Sequence, residues 1–240
     1  MPNQDNCEAA VDPNFTETIN LLNRHGVPYW VCHGTLLGLI RDGRLIPWDH
    51  DIDIAVWADS FSKASAIELM ASHGYHLKND GMDYDFLQFT KSGGREIDFN
   101  FYRISQDSNT AYSEWFISRS DFTKLLAALS NAEMHRGRGE CLTRRLGFLS
   151  PLFHHIVNFL KRKGSFYKSA GYTTPACLLK EFEFVEISEL EVRVPRLHEA
   201  VLECVYGKDW RIPKQQYDWK KESPSTRVSN SRFNKGEDLI

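Results

Sequence analysis

A short alternating segment, Asp51 to Val56 (DIDIAV), restricts the possible folds more than any other feature of the chain. Alternate side chains of a β-strand share a face, so Asp51 and Asp53 would project together while the apolar residues between them point the other way. Two adjacent carboxylates repel each other unless a cation neutralises them. The segment therefore predicts a strand with one apolar face and one acidic face. That acidic face either binds a divalent ion or lies in water.

A second segment, Glu96 to Phe101 (EIDFNF), has the same alternation. Its three apolar residues share one face, and Asp98 emerges on the other. A third carboxylate beside Asp51 and Asp53 would complete a site for two Mg²⁺ or Mn²⁺ ions about 3.5–4 Å apart, as in-line phosphoryl displacement requires. We therefore predict that these three aspartates are both catalytic and metal-binding.

A glycine turn precedes the acidic strand. Gly34 lies between a predicted buried strand, residues 29–32, and a predicted short helix, residues 36–41. Glycine permits close backbone approach, and the N–H groups of a helix start suit a phosphate. Thr35 would add a hydroxyl contact and Arg41 a charge-assisted one. The alternative for Gly34 is a tight turn without a ligand.

Apolar periodicity predicts an α/β (α+β) fold, with a small mixed sheet, flanking helices and a less regular C-terminal half. Further predicted elements are a helix over 14–25, a helix from 59 or 60 to about 72, strands over 51–57, 84–91 and 95–103, a hairpin over 184–194 and a helix from 195 to about 206. The predicted organisation is a polar lead-in (1–13), one domain (14–219) with its catalytic sheet at about 29–103 and a helical part at about 115–219, and a flexible tail (220–240).

Composition excludes several classes of protein. The formal charge of −3 over 240 residues does not suggest a nucleic-acid binder. The five cysteines are widely spaced and contain no CxxC pair, which argues against a disulfide framework and a cysteine zinc site. The sequence shows neither a signal peptide nor a membrane-spanning apolar run, so we expect a cytoplasmic protein, at most peripheral to a membrane.

Two basic clusters occur in the C-terminal half, at Arg136–Arg145 and Lys161–Lys168. Either would suit a donor diphosphate or an anionic acceptor, although a solvated surface is the commoner role of such clusters. The apolar segment from Pro151 to Leu160 directly precedes the second cluster. It predicts either a helix lying on an anionic membrane or, as the sequence favours, a core helix with a basic C-terminal end.

The segment His33 to Gly38 (HGTLLG), Arg41 and the segment Ile46 to Ile54 (IPWDHDIDI) together resemble the signature of the LicD/fukutin family. That family is similar to the wider nucleotidyltransferase superfamily. The resemblance continues more weakly at residues 95–102 and 194–210. The family's usual glycine pair is here His33-Gly34, and the usual middle Asp of its acidic run is His50. These differences leave Asp51 and Asp53 in place.

The resemblance implies transfer of phosphocholine or phosphoribitol from a CDP-activated alcohol to a hydroxyl of a glycan or glycolipid. Asp51 and Asp53 would bind metal, and Asp98 would bind the second ion or deprotonate the acceptor hydroxyl. The predicted ligands of the phosphate and of the rest of the donor are Gly34, Thr35, Arg41 and Trp48. Trp48 would stack on a base or an alcohol headgroup, or else anchor its loop on the core.

Two other functions stay open at this point. Nucleotidyl transfer needs the same metals but moves the nucleoside monophosphate, so it releases pyrophosphate instead of CMP. A non-catalytic module that regulates a partner would need no metal-dependent turnover, and its function would survive replacement of Asp51 by Asn.

Overall fold

The computed structural model describes residues 12–78, 85–106, 108–130, 147–162 and 167–229. Contacts divide the chain into two compact units, the first with residues 1–114 and 171–227 and the second with residues 115–170 and 228–240. The predicted single domain over 14–219 includes residues of both units and stays a prediction. The basic cluster Arg136–Arg145 lies outside the described residues.

The described residues form the following helices. They are α1 (Pro13–Arg24), α2 (His33–Asp42), α3 (Lys63–Ser72), α4 (Asp121–Ser130), α5 (Ser150–Arg162), α6 (His198–Tyr206) and α7 (Trp219–Glu222), with 3-10 turns at Gly147–Leu149 and Ala176–Leu179. Within the described residues, none of the helices is both long enough and apolar enough to cross a bilayer.

The strands are β1 (Tyr29–Val31), β2 (Asp51–Trp57), β3 (His76–Leu77), β4 (Phe86–Thr90), β5 (Glu96–Ile104), β6 (Thr110–Ser118), β7 (Tyr167–Pro175), β8 (Phe182–Ile187), β9 (Leu190–Pro195) and β10 (Thr226–Ser229). Strand β10 and most of α7 lie in the segment predicted as a flexible tail (220–240). That prediction is wrong for residues 220–229. The segment is held because Ser223 Oγ donates to the carbonyl of Val205, and the Ser225 carbonyl accepts from the N–H of Thr173.

A mixed sheet forms the centre of the first unit, as the sequence predicts. Strand β1 is antiparallel to β2, β2 is parallel to β5, and β4 is antiparallel to the other edge of β5 and carries β3. The parallel pair needs a long crossover, which the segment between β2 and β5 provides with α3. In this register Asp53 lies opposite Asp98, and Asp51 lies opposite Glu96.

Burial of one face explains the apolar residues that alternate along these strands. Ile52, Ile54 and Phe99 are fully buried in the core of the first unit, together with Phe15 of α1. Helix α1 is fixed at its start by Asp12, whose carboxylate accepts from the N–H groups of Asn14 and Phe15 and also from that of Arg95.

Several predicted boundaries shift. Helix α2 begins at His33, three residues before its predicted start, and α6 begins at His198, three residues after its predicted start. The hairpin predicted over 184–194 is present as β8 and β9, which pair from Phe182 to Pro195. The part predicted as helical, about 115–219, contains the predicted hairpin and also β7, which the sequence pattern does not predict.

The second unit contains its own small core. Leu126 of α4 and Val157 of α5 are buried, and Phe153 and Leu160 pack against them. The helix predicted over Pro151 to Leu160 is present as α5, and among the described residues only one of its faces is covered. Helix α5 therefore has both a buried and an exposed apolar face.

Candidate active site

The acidic faces of β2 and β5 meet because the two strands are parallel and in register. Asp53 is directly opposite Asp98. Asp51 lies two residues before Asp53 in β2 and therefore on the same face of the sheet. Asp98 is buried, whereas Asp51 and Asp53 are half-buried. The structure therefore brings together the three carboxylates that the sequence selects.

The start of helix α2 holds Asp53. The backbone N–H of Gly34 donates to Asp53 Oδ2 at 3.1 Å, and Thr35 Oγ1 accepts from the backbone N–H of Asp53 at 2.8 Å. The N–H groups and dipole of a helix start stabilise a nearby anion, so this contact favours an ionised Asp53. Gly34 and Thr35 thus lie at the site, but both already contact Asp53.

Gly34 leaves room for a neighbouring carboxylate. A Cβ atom at this position would overlap Oδ2 of Asp49 and would lie 3.5 Å from Oδ2 of Asp53. Only glycine lets the Asp49 carboxylate approach the turn so closely. The space beside Gly34 thus holds the Asp49 carboxylate, and a ligand contact at this turn stays a prediction.

Asp49 is a site residue that the sequence reasoning missed. It is half-buried in the loop before β2, where its Oδ1 accepts from the N–H of His50 at 3.1 Å. The signal was available, because Asp49, Asp51 and Asp53 continue one period-two alternation. The predicted strand begins at Asp51, so Asp49 falls in the loop that is predicted before it.

The electrostatics of the cluster are unfavourable without a cation. Burial, and then the charge of Asp51, raise the pKa of Asp98 from 3.8 to about 8, although a hydrogen bond from Gln88 opposes the shift. Burial and the charge of Asp51 likewise raise the pKa of Asp49 from 3.8 to about 7. The pKa of Asp53 is raised well above its usual value by burial and by the charges of the other three carboxylates.

The basic side chains near the acidic cluster form ion pairs with other carboxylates. Lys78 pairs with Glu96 at 2.6 Å and Arg95 pairs with Asp12 at 3.8 Å, and across the described ranges the four cluster aspartates form no ion pair. In the same ranges, no group of three His, Cys, Asp or Glu side chains is arranged to hold one ion. Magnesium needs only one or two carboxylates, with phosphate oxygens and water as its other ligands. The uncompensated carboxylates fit such an ion.

The two remaining predicted ligands are not brought into contact with the cluster. Arg41 is at the far end of α2, seven residues or about 10 Å along the helix from Gly34, and its guanidinium forms a bidentate pair with Asp42 at 2.7 and 2.9 Å. Trp48 is 38% exposed in the loop before β2. Both of its predicted roles, ligand contact and loop anchor, stay predictions.

A cluster of aromatic side chains from the C-terminal part of the first unit lies near the carboxylates. The ring of Tyr172 is 4.1 Å from that of His33 and 6.0 Å from that of Trp219, and Tyr206 is 5.2 Å from Tyr217. The charge of Asp53 contributes, after burial, to raising the pKa values of both Tyr172 and Tyr206, so these phenols are close to the acidic cluster. The sequence reasoning missed this group, which we call the aromatic wall: Tyr172, Tyr206, Tyr217 and Trp219.

His33 takes an unusual place in the turn. Its φ of +44° lies in the region that favours glycine, which accounts for the glycine that the family usually has there. The ring is buried, Nε2 lies 3.4 Å from the hydroxyl of Tyr102, and Nδ1 has no hydrogen-bond partner among the described residues. Burial lowers the pKa of His33 from 6.5 to about 3, so the imidazole is neutral.

The chain is similar to several known proteins. Residues 26–131 match the family model described as LicD/FKTN/FKRP, nucleotidyltransferase domain. The chain is 25% identical over 207 residues to human ribitol-5-phosphate transferase FKTN, covering 86% of this chain and 34% of that protein. It is 36% identical over 100 residues to human ribitol 5-phosphate transferase FKRP, covering 38% of this chain and 20% of that protein. The chain thus spans about a third of the length of FKTN and a fifth of that of FKRP.

A solved structure, the lincomycin-bound lincosamide antibiotic adenylyltransferase LnuA, aligns with 80% of this chain and 85% of its own. Its sequence identity is 12% and the TM-score is 0.42.

Proposed function

The chain belongs to the LicD family through its domain at residues 26–131, and from this premise we propose that it transfers a phospho-alcohol from a CDP-activated donor to a hydroxyl of a glycan or glycolipid. The transferred group is of the phosphocholine or phosphoribitol type. The observation that carries the proposal is the convergence of Asp49, Asp51, Asp53 and Asp98 beside the start of α2 without a compensating cation among the described residues.

The proposed reaction is a single displacement at phosphorus. The acceptor hydroxyl oxygen forms a bond to the phosphorus that carries the alcohol, and the bond from this phosphorus to the bridging oxygen breaks. CMP leaves with the electrons of that bond, and the hydroxyl proton passes to a carboxylate. No oxidant, reductant or further co-reactant is needed.

Asp51 and Asp53 are the proposed metal ligands, and Asp98 either binds a second ion or accepts the proton. Mg²⁺ or Mn²⁺ would supply charge neutralisation on the diphosphate and lower the pKa of a bound hydroxyl. Because the pKa of Asp98 is about 8 in the metal-free protein, this carboxyl is positioned to gain and lose a proton near neutral pH.

The start of α2 is the proposed phosphate site. A phosphate here would take the place of the Asp49 carboxylate beside Gly34, and the hydroxyl of Thr35 still has its proton to donate after accepting from the N–H of Asp53. A role for Arg41 at the transferred group would require its pair with Asp42 to open. For this reason we assign Arg41 a smaller effect than the carboxylates.

The aromatic wall and Trp48 are the proposed contacts for the nonreacting parts of the donor. Flat rings recognise a pyrimidine by stacking and a quaternary ammonium by cation–π attraction. Tyr172, Tyr217 and Trp219 are all partly exposed, so their surfaces are accessible to such a ligand.

Nucleotidyl transfer is the second candidate, because the same carboxylates would serve it. The FKTN and FKRP relatives are named as ribitol phosphate transferases, which favours the first candidate. A non-catalytic module is the third, and the uncompensated charge of the cluster argues against it.

The decisive experiment measures product release by the full chain with Mg²⁺ present. CDP-choline and CDP-ribitol are tested for release of CMP, and CTP is tested with sugar phosphates for release of pyrophosphate. We expect CMP from one of the CDP-alcohols, and we expect Asp53→Asn to reduce its release at least about a hundredfold. Asp59→Asn is the matched control, since Asp59 is exposed in the turn directly after β2.

Pyrophosphate without CMP would replace the proposal with nucleotidyl transfer. Equal rates for wild type and Asp53→Asn would remove the acidic cluster from the reaction. Absence of both products, together with no Mg²⁺ binding in calorimetry, would leave the binding module as the remaining candidate.

A further inference from the structure

Charge is distributed very unevenly along the chain. Residues 115–170, the main part of the second unit, contain ten Lys and Arg but only three Asp and Glu, although the whole chain has a formal charge of −3. The segment from Cys141 to Lys180 contains no acidic residue at all. The second unit therefore has a positive field that an anionic surface would attract.

The same unit exposes large apolar side chains. Phe148, Leu152 and Ile156 recur at a spacing of four, which places them along one side of α5 and the turn before it, and they are 77%, 56% and 38% exposed. On α4, Phe122 and Leu125 are three positions apart and are also exposed. We call these five residues the apolar stripe.

The stripe is not the unit's core. Leu126 of α4 and Val157 of α5 are the buried members of the second unit's cluster, so each helix packs one apolar side on its neighbour and, within the part of the chain that the structure describes, exposes another. Helix α5 contains no acidic side chain, and Lys161, Arg162 and Lys163 follow its apolar residues directly in the sequence. An uncovered apolar face together with basic residues is typical of helices that lie in a membrane interface.

We infer that the apolar stripe docks the second unit onto an anionic lipid bilayer. The apolar side chains would enter the boundary between headgroups and acyl chains, while the positive charge of the unit would attract it to the lipid phosphates. A nucleic acid or an acidic glycan would satisfy the charge but would leave the phenylalanines and leucines in water. A lipid surface satisfies the charge and also buries this apolar area, so it fits both properties of the unit.

The test is co-sedimentation of the full chain with vesicles of phosphatidylcholine alone and of phosphatidylcholine mixed with phosphatidylglycerol. Binding is expected on the mixed vesicles, with much less on the zwitterionic ones, and added NaCl should weaken it because salt screens the basic residues. Equal binding to both vesicle types, or binding to neither, would overturn the inference.

A matched pair of double variants separates the stripe from general surface hydrophobicity. Phe148→Ser with Leu152→Ser should weaken binding at least about tenfold. Phe184→Ser with Leu197→Ser should leave it unchanged, because these residues are comparably exposed, at 57% and 52%, but belong to the first unit. Circular dichroism confirms that each variant is folded.

Hydrogen exchange of the wild-type chain gives a readout that needs no variant. Mixed vesicles should protect peptides of α4 and α5 and leave β8 and β9 unchanged. Protection confined to β8 and β9 would overturn the inference.

The oligomeric state gives a further check. A dimer in analytical ultracentrifugation that the Phe148→Ser, Leu152→Ser variant dissociates would also overturn the inference, because a second copy would then cover the stripe. None of these measurements uses a donor substrate, so they fail or succeed independently of the transfer reaction.

Discussion

Gly34, Asp49 and Asp53 are placed so tightly that each depends on the others. The Gly34 N–H donates to Asp53, and the absence of a side chain at Gly34 makes room for the Asp49 carboxylate. Protein interiors do not yield easily to an added methyl group, since their packing is close to that of a crystal. A single carbon atom at this turn therefore affects two carboxylates at once.

Gly34→Ala should lower the free energy of unfolding by about 1–3 kcal/mol, the usual cost of overpacking. It should also weaken Mg²⁺ binding, because the new methyl group must displace the Asp49 carboxylate. Urea unfolding and isothermal calorimetry measure the two effects.

A double-mutant cycle tests the cause. In an Asp49→Ala background the overlap is absent, so Gly34→Ala should then have little effect on stability. Additive effects of the two substitutions would show that Asp49 is not what excludes a side chain at residue 34.

At the residue scale, sequence pattern identified Asp51, Asp53 and Asp98, because alternation on a strand is a local property. Asp49 was within reach of the same rule. The aromatic wall was not, since Tyr172 and Trp219 come to the site through long-range folding that no local period reports. Likewise, nothing in the sequence shows that Arg41 is bound by its neighbour Asp42.

A strand-turn-helix unit, made of β1, α2 and β2, positions the acidic strand. The N–H of Cys32 donates to the carbonyl of Asp53 at 3.1 Å, and the N–H of Asp53 donates to Thr35 Oγ1. Thr35 thus provides the hydrogen-bond acceptor for a backbone group of β2. Its hydroxyl connects the helix to the strand at the residue that the reaction is proposed to need most.

Replacing Thr35 tests this connection. Thr35→Val keeps the shape but leaves the Asp53 N–H without its acceptor, so unfolding should become easier by about 1–3 kcal/mol. Thr35→Ser keeps the hydroxyl and should cost less than about 1 kcal/mol, for a lost methyl group. Urea denaturation of the three proteins measures the difference. Similar losses in both variants would show that the methyl group, not the hydroxyl, is what matters.

Elements with strong periodicity were well predicted from the sequence, and α1, β2 and β5 lie within one or two residues of expectation. The start of α2 was not well predicted. His33 begins this helix with a positive φ, a conformation that helix propensity argues against. The two-residue strand β3 is too short to carry a periodic signal. Such elements are fixed by their partners across the sheet.

The acidic cluster lowers the stability of the whole molecule. A metal-binding function would explain why the chain nevertheless contains it. Burying several carboxylates beside one another costs free energy unless they are protonated or bound to a cation. Maximal stability and a working metal site are therefore in conflict, as at many active sites.

We expect the metal-free protein to lose stability as pH rises. Asp98 has a pKa of 3.8 unfolded and about 8 folded, so it contributes stability below about pH 4 that disappears as pH rises to about 8. Asp49, with a folded pKa of about 7, acts in the same direction. Urea unfolding in EDTA across this range should reveal a loss of several kcal/mol from the two groups.

Magnesium and an amide variant provide the controls for that prediction. Adding Mg²⁺ at about a hundred times its Kd should restore about 2.7 kcal/mol at the alkaline end. Asp98→Asn, which cannot ionise, should have a flatter pH profile. An unchanged profile in this variant would mean that Asp98 is not the group responsible.

The parallel pairing of β2 with β5 also has a consequence for synthesis on the ribosome. Asp53 and Asp98 face each other, yet 45 positions of chain separate them. At about 5–20 residues per second, several seconds pass between their translation. During that interval β1, α2 and β2 can meet, while the acidic edge of β2 still lacks its neighbour. A cation could stabilise the assembled cluster only after β5 has been translated, so a nascent chain must pass through a stage in which its acidic cluster is incomplete and offers no folding advantage.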